Sequence, residues 1–479
     1  MQNSQFHLHE LFTGFLPENQ DKGVFYWQYK NEEMAYRELW QKVQKIIALI
    51  REKIPEKHKT VLLFLDSGLS FVSGLLAVLY SQNIPILVNN KLKQELQHLE
   101  KLSDYIITDN DNVKHLSQYC SESSLEKKLI NIMPSAEFLI REISDCKIDQ
   151  AVEIDETMLY LFTSGSTGQP KLIKKTYFNI HTEIKYLLQL LEVTSDNLFL
   201  PLVPSFHIYG LLFEVLLPLA ACARIRLDIP FSPLSIIEDG LLKNANYLIG
   251  NPTIYLGMRE FIRDFTHKDF SHIKYLVSST MALDSEAVMD FKQKVNINIL
   301  ELYGSTETGG IAYRKYYNNK SWKFFPYVKW QITEPDQVLE LKSPCLSEME
   351  GSKPDWYNTR DVIKIADDFD ILGRVNQIIK VGGNRVSALE VENIIRKVPV
   401  VIDAVVIGTK TPDLRGETMA AYIVCKTRDN DVNLTRVKEF CRQNLPEFKI
   451  PKIYRIVDSI PRGTNSKVLY KKLISSEQV

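Results

Sequence analysis

The sequence predicts a large layered α/β domain followed by a smaller α+β domain, and three observations carry that reading. Short apolar runs alternate with amphipathic stretches over most of the chain, the pattern of strands and crossover helices in a largely parallel sheet. Beyond about residue 377 the rhythm changes to helix, strand, strand, helix, strand. The length, 479 residues, is too great for one compact core.

The first unit is a βαβ unit. Residues 60–65 form an apolar run read as a strand, 69–80 an amphipathic helix, and 84–88 a second strand. Further strands are expected at 104–108, 158–162, 197–201, 223–227, 247–249, 275–278 and 297–302, with helical segments between them. In the tail, 388–397 and 434–444 read as helices, and 400–409, 418–426 and 452–457 as strands. The expected division is a large domain over 1–374 and a small one over 377–479, with a hinge at 375–376.

Composition narrows the class. The chain is 45% hydrophobic and 24% charged, ordinary for a soluble globular protein. A net charge of −1 offers no basic face for nucleic acid. The six cysteines (120, 146, 222, 345, 425, 441) include no CxxC pair, which argues against a zinc site or disulfide scaffold and fits a reducing compartment. The N-terminus has no basic region followed by an apolar run, so no signal peptide is expected. The most apolar stretch, 198–223, contains His207, Glu214 and three prolines. That suits a buried helix and loop better than a membrane span. The expectation is a soluble, cytoplasmic protein.

The most informative segment is Tyr160-Leu-Phe-Thr-Ser-Gly-Ser-Thr-Gly-Gln-Pro-Lys171, a strand running into a loop of hydroxyl and glycine residues closed by a lysine. Gly165 and Gly168 let the backbone aim N–H groups at one point, and clustered N–H groups bind anions. Thr163, Ser164, Ser166 and Thr167 add hydroxyl donors, and Lys171 adds a charge. The loop is built to hold a phosphate chain, yet it lacks the Walker spacing.

Four further segments carry chemistry. Leu302-Tyr-Gly-Ser-Thr-Glu-Thr-Gly-Gly310 ends a predicted strand, where open α/β sheets bind ligands. Tyr303 offers a ring for a base, Thr306 a hydroxyl for phosphate, and Glu307 a hard oxygen ligand for Mg²⁺. In Trp356-Tyr-Asn-Thr-Arg-Asp361 the acid follows a turn; it either accepts hydrogen bonds from a ribose diol or caps local backbone. Gly373-Arg374 to Lys380-Val-Gly382-Gly383 lies at the inferred boundary and is either a hinge or a plain hairpin. Ile460-Pro-Arg-Gly-Thr-Asn-Ser-Lys467 is a turn-rich loop presenting one lysine. Lys174-Lys175 and Lys471-Lys472 are candidates for basic contacts to nucleotide phosphates but read more readily as solvated faces.

In this order and spacing, the four segments resemble the adenylate-forming superfamily, which includes acyl-CoA synthetases, aryl-acid ligases, nonribosomal peptide adenylation domains and firefly luciferase. The resemblance runs from about residue 30 to 475. Pro204-Ser-Phe-His-Ile-Tyr-Gly210 is similar to the acyl-pocket segment of CoA ligases, Asn251-Pro-Thr253 also matches, and Ser278-Ser-Thr-Met-Ala-Leu283 resembles the strand end beside the adenine.

The resemblance implies a mechanism. A carboxylate attacks the α-phosphorus of ATP, pyrophosphate leaves, and a pantetheine thiol then attacks the acyl adenylate. Both first-step partners are anions, so catalysis comes from placing and neutralising charge. By resemblance, Thr163, Ser164, Gly165, Ser166, Thr167, Gly168 and Lys171 hold the β- and γ-phosphates. Thr306 contacts the α-phosphate, Glu307 binds Mg²⁺, Tyr303 stacks on adenine beside Gly304 and Ser279, and Asp361 and Arg374 hold the ribose. Lys467 bridges the reacting carboxylate and the α-phosphate. Ser278, Thr280, Gly309 and His207 are the implied acid-pocket residues. Rotation at Asn376 would exchange Lys467 for the Lys380–Gly382–Gly383 segment in the thioester step.

The chain departs from the family pattern at Leu172, Arg360 and Ser466, each where Gly is usual, and at Asn376, usually Asp or Lys. The amino-acid-binding Asp of peptide adenylation domains falls at His207, which favours an acyl or aryl acid. His207 lines that pocket or packs beneath the phosphate loop. The acceptor is CoA or the phosphopantetheine of an acyl or peptidyl carrier protein. The alternative of another class is a non-catalytic paralogue that binds nucleotide or acyl ligand as a partner or sensor.

Overall fold

The computed structural model describes residues 5–473 except 28–30, 67, 89–92, 119, 133–149, 164–170, 231, 242–244, 263–264, 266, 282, 284, 317–320, 336, 349–353, 366–368, 382–383, 411–416, 427–428, 463–467 and 471–472. The chain divides into two compact units. One comprises Met1–Val328 with Ser343–Pro354, the other Lys329–Lys342 with Asp355–Val479. The second unit thus takes in residues on the N-terminal side of the expected hinge.

The first unit holds two large sheets. In one, Thr60–Phe64, Ile84–Leu87 and Tyr105–Thr108 pair in parallel, and Leu69–Tyr80 crosses between the first two with residues 71–80 all buried. Strands covered on both faces read as continuous apolar runs, which is why this region was legible. Thr157–Thr163 lies parallel to Ile84–Leu87, and Lys171–Thr176 closes that edge antiparallel to it.

The other sheet has nine strands among the described residues. Its central run is parallel, in the order Ile299–Ser305, Tyr275–Ser278, Tyr247–Gly250, Leu198–Pro201, Arg224–Arg226, Gly23–Trp27. Ser278 is level with both Gly250 and Glu301, so residues 302–305 project beyond the carboxyl ends of their neighbours. Leu248, Leu276 and Ile299 form one core with Tyr255, Met258, Phe291 and Val295. Each such fully buried side chain stabilises by about 1.5–3 kcal/mol.

The second unit begins with an antiparallel meander of Lys329–Thr333, Val338–Lys342, Tyr357–Ile365 and Phe369–Arg374. A turn at Val375–Gln377 leads to Ile378–Val381, which pairs antiparallel with Asn384–Ser387. The remainder follows the expected rhythm: Ala388–Arg396, Val401–Lys410, Glu417–Cys425, Asn430–Asn444 and Ile453–Ile456. The second helix starts earlier than expected because the Asp429 carboxylate accepts the Val432 N–H at 3.3 Å and caps it. Val391, Ile395, Ala421, Ile423, Val437 and Cys441 share the core of this module. Among the described residues no helix is long and apolar enough to cross a membrane.

Candidate active site

The segment expected as a strand end and loop is a hairpin: Ile299–Ser305 pairs antiparallel with Gly309–Lys315, and residues 306–308 turn between them. Ser305 and Thr308 lock the turn. The Ser305 N–H donates to Thr308 Oγ1 at 3.1 Å, the Thr308 N–H donates to Ser305 Oγ at 3.2 Å, and the two hydroxyls lie 3.0 Å apart. Gly304 is required because a Cβ there would meet the Gly309 carbonyl oxygen at 2.4 Å. Gly309 stands at φ +67°, the left-handed region. Thr306 and Glu307 occupy the half-buried tip. No described residue hydrogen-bonds to the Thr306 hydroxyl or the Glu307 carboxylate. The Tyr303 ring meets Trp322 edge-on, with centroids 5.9 Å apart.

Beneath this turn lie two charged residues that sequence reasoning missed. Lys175, expected on a solvated face, is fully buried. Strand alternation explains it: Ile173 and Lys175 point inward from Lys171–Thr176, while Lys174 faces out and pairs with Glu348 at 2.7 Å. Lys175 Nζ donates to the Cys345 carbonyl at 2.9 Å and the Glu307 carbonyl at 3.4 Å. Glu183 comes from Tyr177–Leu191, a helix begun by a capping box in which Thr176 and Asn179 exchange backbone hydrogen bonds. Its Oε1 accepts the Gly310 N–H at 2.7 Å. Burial raises the Glu183 carboxyl above its ordinary range, opposed by the Lys175 charge and the Gly310 hydrogen bond.

The expected acid-pocket residues sit at the same carboxyl edge. Ser278 ends its strand with a buried hydroxyl that has no partner among the described residues. Ser279 Oγ donates to the Leu302 carbonyl at 3.1 Å, and exposed Thr280 holds φ +80°. Asn251 caps the following helix, its Oδ1 accepting the Ile254 N–H at 3.0 Å. His207 is half-buried and precedes the helical run from Ile208. An acid does reach this segment: buried Glu214 accepts the Val203 N–H at 2.9 Å and the Ser205 hydroxyl at 3.0 Å. Burial pushes its carboxyl up to about 8, against the pull of those two donors. The signal in the sequence was a lone acid in an apolar helix.

In the second unit, Asp361 lies within a strand rather than after a turn. It is buried and directly opposite Arg374, whose Nε is 3.2 Å from its Oδ1. Arg360 stands at φ +60°, which accounts for Gly at this position in the family pattern. Arg374 ends its strand, residue 376 lies in the turn that follows, and Lys380 is exposed on Ile378–Val381. Gly382 and Gly383 lie outside the described residues, as do Ser164, Gly165, Ser166, Thr167, Gly168, Ser466 and Lys467. Thr163 ends one strand and exposed Lys171 begins the next.

The profile of AMP-binding enzymes matches residues 16–337, and that of the AMP-binding enzyme C-terminal domain matches 390–467. The chain belongs to the AMP-binding enzyme family. It is 24% identical over 362 residues to oxalate–CoA ligase of Arabidopsis thaliana, covering 68% of this chain and 69% of that protein. It is 27% identical over 375 residues to the human mitochondrial malonate–CoA ligase ACSF3, covering 66% and 65%. ATP-bound MatB from Rhodopseudomonas palustris shares the fold with a TM-score of 0.84 at 20% identity, over 99% of both chains.

As an AMP-binding enzyme the protein is an AMP-forming acid–thiol ligase: it activates a carboxylic acid as an acyl adenylate and passes the acyl group to a thiol.

Proposed function

We propose that this ligase activates an acyl or aryl acid lacking an α-ammonium group, with CoA as the acceptor. The observation that supports this most strongly is the orientation of Glu214. Its two oxygens are taken by the Val203 N–H and the Ser205 hydroxyl of the loop that precedes its helix, so it is not an ion-pair partner for a substrate ammonium, whose unpaired burial is costly. Curated relatives that act on malonate and oxalate with CoA point the same way.

The proposed roles are as follows. Residues 163–168 and Lys171 bind the β- and γ-phosphates, Thr306 donates to the α-phosphate, and Tyr303 packs on the base. Asp361 and Arg374 hold the ribose, and Lys467 orients the acid carboxylate toward the α-phosphorus. The Glu307 carboxylate is a hard oxygen donor without a described partner, which fits Mg²⁺; when bound, Mg²⁺ would offset phosphate charge. A carboxylate oxygen forms a bond to the α-phosphorus as the bond to pyrophosphate breaks. The thiolate then attacks the acyl carbonyl and AMP leaves. We further propose that the second step follows rotation about residues 375–376 between segments 1–374 and 377–479, bringing Lys380, Gly382 and Gly383 to the site.

The test is acid-dependent ATP–pyrophosphate exchange with Mg²⁺ over a panel of fatty, aryl, dicarboxylic and amino acids, followed by mass detection of the CoA thioester. Exchange with non-amino acids, abolished in Lys467→Ala while that variant still makes thioester from preformed adenylate, supports the proposal. Exchange restricted to amino acids, or transfer only to a carrier protein's phosphopantetheine, overturns the substrate or acceptor assignment.

A further inference from the structure

We propose that Lys175 and Glu183 are positioning residues that hold the 305–310 turn from its buried side, so that Thr306 and Glu307 present their oxygens to Mg²⁺ and nucleotide. The inference rests on the roles proposed above for those two residues.

Three contacts converge on the turn from below. The Glu307 carbonyl is held from two directions, by the Ser347 N–H at 2.8 Å and by Lys175 Nζ at 3.4 Å. The same ammonium donates to the Cys345 carbonyl at 2.9 Å, so one side chain ties two segments that are distant in sequence. On the other side of the turn, Glu183 Oε1 takes the Gly310 N–H at 2.7 Å. The Gly309 backbone lies so close that an added Cβ would stand 2.7 Å from Glu183 Oε2.

Both side chains are almost fully removed from water, at 0% exposure for Lys175 and 4% for Glu183. Stability does not explain such a choice, because well-packed apolar residues in place of buried opposite charges are often as stable or more so. What charges supply is direction: hydrogen bonds with one ionised partner are shorter and stronger than neutral ones. Here both are spent on main-chain atoms, Glu183 on Gly310 of the turn and Lys175 on Glu307 of the turn and on the adjoining Cys345. A group holding a metal ligand's backbone acts on the metal through the ligand's orientation, as outer-shell partners do.

The test compares the native chain with K175M, E183Q and K175M/E183Q, all of which retain side-chain volume. Three quantities are measured: thermal unfolding, calorimetric binding of a non-hydrolysable ATP analogue with and without Mg²⁺, and the Mg²⁺ dependence of ATP–pyrophosphate exchange. The double variant leaves no uncompensated charge and is expected to melt with the native chain. Its Mg²⁺ requirement, in exchange and in binding, is expected to rise roughly 10-fold or more, with Mg²⁺-free binding weakened by less than that and the KM for the acid unchanged. E183Q, the most isosteric change, reports the same shift in smaller degree and decides the matter should the double variant not fold. A native Mg²⁺ requirement in folded variants overturns the inference alone. A native chain that neither exchanges pyrophosphate with any acid nor binds the analogue in a Mg²⁺-dependent way overturns the underlying roles, and the inference with them.

Discussion

Asp361 and Arg374 are register partners on adjacent antiparallel strands, and the guanidinium Nε lies 3.2 Å from Oδ1 of the buried carboxylate. The arginine is 49% exposed, so the pair stabilises the fold by about 1 kcal/mol at most. Its value lies in fixing the orientation of the carboxylate. Asp361→Asn is therefore expected to leave the melting temperature nearly unchanged while raising the KM for ATP roughly tenfold, the equivalent of about 1.4 kcal/mol. Steady-state kinetics at saturating acid, alongside thermal unfolding, checks both halves; an unchanged KM for ATP refutes the ribose assignment.

One residue earlier, Arg360 holds φ +60°. A side chain in this region costs about 1–2 kcal/mol relative to its ordinary conformations, whereas glycine occupies it freely at some entropic cost. Arg360→Gly is expected to be neutral to stabilising, by up to about 1 kcal/mol. Chemical denaturation measures it, and a loss of stability would show that the arginine side chain contributes more than its backbone costs.

Gly309 gives the opposite case. Its φ is +67°, and an added Cβ would lie 2.7 Å from Glu183 Oε2 and 2.8 Å from Cys345 Cβ. Gly309→Ala is expected to destabilise by more than the roughly 1–2 kcal/mol of left-handed strain, and to slow pyrophosphate exchange as the turn shifts. Stability and exchange are measured on the same preparation. A native-like variant would mean the turn relaxes without consequence.

Glu214 predicts a pH dependence. Its folded carboxyl titrates near 8, far above an unfolded glutamate, so the folded state binds more protons between those values. Stability therefore falls as pH rises from about 4.3 to 8, by no more than roughly 5 kcal/mol in total. Glu214→Gln, which keeps an acceptor and a donor for Val203 and Ser205, is expected to flatten that slope and to be most stabilising above pH 8. Thermal unfolding from pH 5 to 9 tests it. Equal slopes for both proteins would show that the carboxyl is ionised throughout.

Much of this was legible in the chain. The strands at Thr60–Phe64, Tyr247–Gly250 and Tyr275–Ser278 were readable because burial on both faces leaves mostly apolar residues. The Tyr303–Gly310 segment was readable because a carboxylate, hydroxyls and glycines crowd a strand end. Lys175 and Glu183 were not, since a lysine on a strand looks alike whether it faces solvent or core until the neighbouring layer is known. The phase of Ile173 was the one hint. Asp361 was expected after a turn, but pairing of its strand with Val338–Lys342 and Phe369–Arg374 places it within a sheet.

The alternation that sends Lys174 outward and Lys175 inward makes Lys171–Thr176 a counting device. Deleting or inserting a single residue between Lys171 and Lys174 would exchange the two faces, burying the lysine that pairs with Glu348 and exposing the one that holds Glu307. Among natural variants of this chain, length changes are therefore expected to be purged from these six positions even where substitutions of comparable chemical severity persist.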